Sequence, residues 1–274
     1  MSDGRNGSVK QFICIKWGAK YGPEYVNRLY AMIARNVTPP FRLYCFTDDD
    51  SALHPDIAAR PLPVFDYEPP KRTFGKWPKS RLWGDLGDVT GTVLFLDLDV
   101  IITGSLDEFF DYGDPEDTIL GLNPNTPLEK MGQTSVYRMK VGRLAALQDI
   151  FKADPQAAAD KYRFEQRFVT RNAPGGVKFW PRAWMAHFRM HCVPNFPLNY
   201  FREPRIPPKA RIVIFAGGLN PPDALAGRWD ATLTHQSPLE HLRAGLAGRR
   251  KESFVKHMRH YLRPTPWVKD LWTE

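Results

Sequence analysis

Residues 95–110 read FLDLDVIITGSLDEFF, and the interpretation of the whole chain turns on this stretch. Val93, Leu94, Phe95 and Leu96 are apolar and predict a buried strand over 91–97. Asp97 and Asp99 then follow two residues apart. Side chains alternate along an extended strand, so this spacing puts both carboxylates on one face. A carboxylate in such a setting is costly unless it is paired or bound to a cation. The C-terminal ends of strands are where α/β sheets take ligands. Two convergent carboxylates there suit a hard divalent cation held jointly with a diphosphate. The same pair can also simply end a strand and begin a turn, because D-x-D alone recurs by chance.

Working outward, residues 9–17 (VKQFICIKW) predict an opening strand. After a turn at 18–22, Pro23 starts a helix that runs to about Asn36, with Tyr25, Leu29, Met32 and Ile33 on one face. Residues 41–47 (FRLYCFT) predict a second strand, closed by Asp48, Asp49 and Asp50. Strand, helix and strand in this order predict a parallel α/β sheet. The proline-rich stretch 60–78 reads as loop and 80–86 as a short helix. Further strands are expected at 118–122, 134–139 and 211–215, and helices at 143–153 and 155–170. Residues 172–208 read as short strands and ordered loops. With no repeat and no linker, the expected organisation is one domain over 1–240 and a basic aromatic extension over 241–274.

The chain has 274 residues, 43% of them hydrophobic, enough for one large domain and incompatible with wholesale disorder. No apolar run is long enough to span a bilayer, and the polar start offers no secretory signal. Cys14, Cys45 and Cys192 form neither a disulfide framework nor a zinc knuckle, so a reducing cytosol is the expected compartment. Of the net charge of +8, residues 241–274 supply +5, from eight Lys/Arg against three acids. Such a tail suits phosphates or is a merely solvated basic helix. Arg249, Arg250 and Lys251, with the rings of Tyr261, Trp267 and Trp272, predict a peripheral contact with an anionic membrane, the alternative for Trp267 and Trp272 being to dock on the domain. His187 and His191 are four apart but lack a third hard ligand; with His235 they read as structural or solvated. P-loop, dinucleotide and zincin motifs are absent.

Residues 95–110 resemble the metal-binding segment of GT-A fold glycosyltransferases, especially those of family 8. There a strand ending in D-x-D is followed by a short apolar strand, a small-residue turn and an L-D-E-[LF]-F helix start. The resemblance extends to residues 13–25, 41–49, 79–83, 162–170 (YRFEQRFVT) and 211–222. It implies a GT-A fold, an α/β architecture with a mostly parallel sheet and a smaller mixed sheet. It also implies transfer of a sugar from a nucleotide donor, UDP-linked, to an acceptor hydroxyl with retention. The acceptor would be a surface glycan or glycolipid such as lipopolysaccharide or capsule, at the inner face of the membrane.

Carried over residue by residue, Asp99 is a direct metal ligand, and Asp97 touches the metal and the ribose. Trp17 and Tyr21 cover the nucleobase, Asp48 contacts base or ribose, and Lys79 contacts diphosphate or base. Glu165 and Gln166 lie near the anomeric carbon, and Thr134 and Ser135 border the sugar. Gly217 and Gly218 let backbone N–H groups approach a phosphate. Mn2+ or Mg2+ is the implied cofactor, bound together with the diphosphate. Read from the residues alone, Trp17 and Tyr21 are equally core aromatics, and Lys79, Glu165 and Gln166 ordinary surface residues.

One departure stands out. The family supplies a His from the last strand to manganese and a Lys soon after it to the diphosphate. Those positions hold Ile214 and Asn220 on one spacing and Ala216 and Gly218 on the other. The departure leaves room for an alternative: a glycosyltransferase-like protein that binds nucleotide or glycan without turnover. Nucleic acid is not an expected partner, because the tail has few glycines and no stacking motif.

Overall fold

Strand β1 (Lys10–Lys16) buries Phe12, Ile13, Cys14 and Ile15 in succession, as a central parallel strand covered on both faces must. Strands β2 (Phe41–Thr47) and β4 (Thr92–Leu96) flank it in parallel, and β3 (Ala58–Pro61) pairs in parallel with β2. Beyond β4 the direction reverses. β7 (Gly132–Lys140) is antiparallel to β4, and β6 (Ile119–Leu122) is antiparallel to β7. The two-residue β8 (Lys178–Phe179) closes the edge in parallel with β6, giving the order β3-β2-β1-β4-β7-β6-β8.

The structure is a computed structural model that describes residues 9–71, 73, 77–126, 128–248 and 252–274. Its contacts divide the chain into two compact units. The first holds the described residues up to Leu98 together with Ser105–Arg182, and therefore the whole seven-stranded sheet. The second holds Asp99–Gly104 and the described residues from Ala183 to Glu274.

In the first unit, helix α1 (Pro23–Asn36) opens on Pro23 and buries Val26, Leu29, Met32 and Ile33. Val26 takes the core place expected of Tyr25, whose ring instead lies against Tyr21 at 4.6 Å between centroids. Helix α2 (Asp107–Asp111) is held by Arg138, fully buried on β7. Its guanidinium donates to the carbonyls of Phe110 at 2.6 Å and Asp114 at 2.5 Å. A buried charge there is tolerable because the carbonyls at a helix end are otherwise orphaned.

The helix predicted over 143–153 is α3 (Ala145–Ala153), but the one predicted over 155–170 is two helices. Helices α4 (Pro155–Tyr162) and α5 (Glu165–Asn172) are separated by Arg163 at φ 62° and an extended Phe164. The break lets Ala158 and Ala159 of α4 and Phe168 and Val169 of α5 enter one core. In that core Trp83 stacks on Phe168 at 5.5 Å and Trp77 on Phe151 at 4.8 Å. Such pairs are worth about 0.5–1.5 kcal/mol beyond their buried area. The short helix expected at 80–86 is a 3-10 helix at Pro78–Leu82.

The second unit is built on a three-stranded mixed sheet. Central β10 (Ile212–Ile214) pairs antiparallel with β5 (Val100–Ile102) and parallel with β9 (Met185–His187). Helices α6 (Pro221–Ala226), α7 (Pro238–Leu246), α8 (Phe254–Arg259) and α9 (Trp267–Leu271) follow. A capping box of Ser237 and Glu240 opens α7. The rings expected at a membrane surface are not offered to solvent: Tyr261 and Trp272 are buried, and Trp267 donates to the Pro204 carbonyl at 3.0 Å. Tyr261 packs with Tyr200 and Met258 in a small core, and burial of this kind outweighs exposure at an interface. Arg249, Arg250 and Lys251 lie outside the described residues. No described helix is long and apolar enough to cross a membrane.

Candidate functional site

Strands β2, β1 and β4 are adjacent and parallel, and the residues that follow their C-terminal ends are Asp48, Trp17 and Asp97. Loops at these ends form the ligand face of an open α/β sheet. Asp48 accepts from the Gly18 N–H at 2.9 Å, tying the loop after β1 to the loop after β2. Gly18 sits at φ 60°, a conformation that costs a side-chain-bearing residue and lets the chain turn at once behind Trp17.

A cavity of about 490 Å3 opens between these loops and the proline-rich segment. Trp17, Asp48, Phe65, Pro70, Trp77 and Arg81 are among its walls. Trp17 is 46% exposed, so its ring borders the cavity and is not core. Tyr21 lies on Tyr25 and accepts from Lys20, away from these walls. In the sequence the stretch 60–78 reads only as loop. Its aromatic residues among prolines were the available sign that it folds over something.

Beside the cavity Lys79 meets Asp97. Its ammonium lies 2.8 Å and 2.9 Å from the two carboxylate oxygens, and donates to the Thr134 carbonyl at 2.8 Å. The 3-10 helix carries Lys79 to this point, with the ammonium 4.9 Å from the centre of the Phe95 ring. Asp97 also donates its backbone N–H to the Ser135 carbonyl at 2.8 Å, so strand β7 fixes both main chain and counter-ion. Thr134 donates its hydroxyl to Glu165 at 2.6 Å. Burial pushes the Glu165 carboxyl up to about 6, against Lys79 and the Thr134 hydrogen bond, which favour its charge. Its other oxygen, Oε1, and the buried Tyr137 hydroxyl have no hydrogen-bond partner among the described residues. Burial, then Glu165 and Asp97, raise the Tyr137 phenol well above its ordinary value.

Four residues singled out in the sequence, Lys79, Asp97, Thr134 and Glu165, therefore form one connected group. Gln166 follows Glu165 on α5, and its carbonyl accepts from Thr170 at 2.6 Å. Asp99, Gly217 and Gly218 belong to the second unit, where both glycines have positive φ, 71° and 84°. Ile214 is buried in β10, between Val100 and His187 in register.

Asp97 supplies hard oxygen donors, but both oxygens already face Lys79. Among the described residues no group of three His, Cys, Asp or Glu side chains is placed to hold a metal. The donor set suits a cation that arrives with oxygens of its own, as on a diphosphate.

No protein-family model and no curated protein matches the chain. Solved structures do. A galactosyltransferase, LgtC, in complex with donor and acceptor sugar analogues is similar at 13% identity, over 95% of this chain and 100% of that one, with a TM-score of 0.54. An active-site mutant of LgtC gives 12% identity over 88% and 96%, also at 0.54. The glycosyltransferase GlyE of Streptococcus pneumoniae gives 10% identity over 93% and 66%, at 0.55. The chain thus has the GT-A-type α/β fold of these glycosyltransferases, with a mainly parallel seven-stranded sheet and a smaller mixed one.

Proposed function

We propose that the protein is a glycosyltransferase that moves a sugar from a nucleotide donor, UDP-linked, to a hydroxyl of a glycan or glycolipid, with retention at the anomeric centre. The observation that carries this reading is the placement of Trp17, Asp48 and Asp97 at the ends of three adjacent parallel strands, with Lys79 and Glu165 beside them. In this reading Trp17 covers the base, while Asp48 accepts hydrogen bonds from base or ribose. Lys79 holds Asp97 in one orientation and brings a fixed positive charge to the donor. Thr134 orients Glu165, whose unpartnered oxygen accepts from a sugar hydroxyl. A divalent cation that arrives with the diphosphate and meets Asp97 would neutralise the departing diphosphate. Pre-oriented groups of this kind lower the barrier without reorganising during the reaction.

The test is a thermal-shift and hydrolysis screen of nucleoside diphosphates and their sugars, with and without manganese. A ligand at a hundred times its dissociation constant adds about 2.7 kcal/mol of stability. Binding with slow hydrolysis of one UDP-sugar supports transfer. Binding with no turnover in any acceptor mixture leaves the reading of a non-catalytic relative. No binding of any nucleotide removes both.

We also infer a peripheral contact with the inner face of an anionic membrane. Exposed Leu246, Phe254 and Val255 on α7 and α8 bracket the basic sequence 249–251, and charge with apolar side chains is what such a surface attracts. Sedimentation with anionic vesicles, reversed by salt, is the expected result. Equal sedimentation after Leu246→Ser and Phe254→Ser would remove this contact.

A further inference from the structure

In the second unit β9 and β10 run side by side in parallel, with His187 level with Ile214. The residue after each strand is a buried phenylalanine, and the two rings, Phe188 and Phe215, stack at 4.8 Å. The helical turn Phe188–Cys192, which carries Arg189, is thereby locked at its root to the loop 216–219 that leaves β10. The Arg189 guanidinium lies 4.7 Å from the centre of the Trp229 ring, and Trp229 in turn stacks on His260 at 4.4 Å. Its Nη1 donates to the Gly217 carbonyl at 3.1 Å and its Nη2 to the Trp229 carbonyl at 2.6 Å. The buried Nε has no hydrogen-bond partner among the described residues. Burial holds the group below the ordinary arginine range, against the opposing pull of Asp230 and Asp223. A charge set this deep with an orphaned donor costs stability, so packing alone does not account for it.

The bond to Gly217 has a geometric consequence. The peptide joining Gly217 to Gly218 is trans, and in a planar trans peptide the C=O and N–H point in opposite directions. A guanidinium that fixes the Gly217 carbonyl therefore fixes the Gly218 N–H pointing away from itself. The fit is tight on the arginine side, where a Cβ added to Gly217 would lie 2.9 Å from Nη1. Around Gly218 the loop is open: a Cβ there would meet nothing within 4 Å, and both glycines are exposed. The Gly218 N–H makes no hydrogen bond to any described residue. A cation on the carbonyl oxygen polarises the peptide and makes its N–H a stronger donor. Residues 215–222 (FAGGLNPP) contain no Lys or Arg, so the loop's own side chains bring no positive charge. Arg189 brings it from behind.

An exposed, outward-turned and polarised N–H backed by a fixed cation is a setting for an anion. We propose that Arg189 is a positioning residue for the diphosphate of the nucleotide donor, turning the Gly218 N–H outward to meet it and supplying charge behind the loop. The identity of the anion rests on the transfer reading; the capture of an anion by Arg189 and this loop does not.

The sequence offers a direct probe. Glycine follows glycine at two places only, 175–176 and 217–218. In full-length protein labelled with 13C and 15N in glycine alone, a spectrum that correlates each amide with the preceding carbonyl isolates Gly176, in the first unit, and Gly218, in the second. Wild type, Arg189→Met and Arg189→Lys are titrated with inorganic pyrophosphate and Mg2+, and separately with uridine and UDP. In wild type pyrophosphate should move the Gly218 peak and leave Gly176 in place. Its affinity should fall about tenfold in Arg189→Met. Arg189→Lys should fall between, because it keeps the charge but not the fork that reaches two carbonyls at once. UDP should weaken by the same factor in each variant, with uridine binding unchanged. A Gly218 peak that ignores pyrophosphate overturns the proposal, as does an equal response in wild type and both variants. Equal loss of uridine and UDP would mark a merely structural role and also overturns it. If Arg189→Met does not fold, Arg189→Lys alone decides. Wild type that binds pyrophosphate at Gly218 but neither uridine nor UDP would count against the donor reading and leave the anion loop standing.

Discussion

The two units of this chain differ in how they keep charge. The first carries twenty-four Lys/Arg against twenty-two Asp/Glu, and the second fourteen against eight, so most of the net +8 lies in the smaller unit. Six of the seven histidines lie in the second unit as well. In the first, the central titratable group is an acid, Glu165, held in a wall of apolar packing. In the second it is an imidazole, His241, bonded to the Tyr200 hydroxyl at 2.6 Å and stacked on His257. Burial, then His257 and His260, lowers His241 to about 4. One unit is therefore strained by losing a proton and the other by gaining one.

The largest expected effect is on packing. Phe168→Ala removes a ring in contact with Trp77, Trp83, Phe151 and Tyr162, and should cost about 3–5 kcal/mol. Hydrogen exchange read peptide by peptide should show the loss in the first unit, with β10 and α7 protected as before. If protection falls equally everywhere, the units are one cooperative body and the contrast between them is only compositional.

Next comes the chemistry. Asp97→Asn keeps the shape but leaves Lys79 without its ion pair, and transfer from a UDP-sugar should drop by about 10²–10³-fold. Lys79→Met should lower it by a comparable factor. Wild-type turnover in either variant would take the site away from the ends of β1, β2 and β4.

The pH response sharpens the comparison, because the signs are opposite. His241 titrates near 4 when folded and near 6.5 when unfolded, so its contribution is complete above 6.5 and is lost as pH falls through 4. Glu165 titrates near 6 folded and near 4.5 unfolded, so its contribution is complete below 4.5 and is lost as pH rises through 6. Between pH 6 and 4.5, acidification should loosen α7 and α8 while tightening α5 against β7, as exchange rates on the two segments would report. His241→Asn should flatten only the first response, and Glu165→Gln only the second. Both segments loosening together on acidification would contradict the assignment of the two groups.

The smallest effect belongs to a cap. Ser237→Ala removes the hydroxyl that accepts from the Glu240 N–H at 3.3 Å, and should cost about 1 kcal/mol. A change in the first unit's melting would be unexpected.

These residues also show what was legible in the sequence and what was not. β1, β2 and β4 announced themselves because buried parallel strands are continuous apolar runs. The carboxylates at 97 and 99 stood out for the same reason, as charge at the end of such a run. The break at Arg163 was hidden, since neither glycine nor proline marks it and only the shared core of α4 and α5 demands it. The Lys79–Asp97 and Thr134–Glu165 pairs were named as separate residues, but their bonds join positions 18 and 31 apart, which no local period encodes. The burial of Tyr261 and Trp272 was not legible, because a ring beside basic residues looks the same in sequence whether it faces lipid or its own core.

The chain passes into the second unit at Asp99, leaves it after Gly104 and re-enters at Ala183. Anyone trimming the protein meets this ordering at once. A fragment ending at Arg182 keeps the seven-stranded sheet but strips β10 from β5, whose Val100, Ile101 and Ile102 are buried in the whole protein. An apolar edge without a partner recruits another copy of itself. The two units are therefore inseparable at the bench by a single cut, and the shortened chain should come out of the cell as aggregate unless residues 99–104 are replaced by a polar turn.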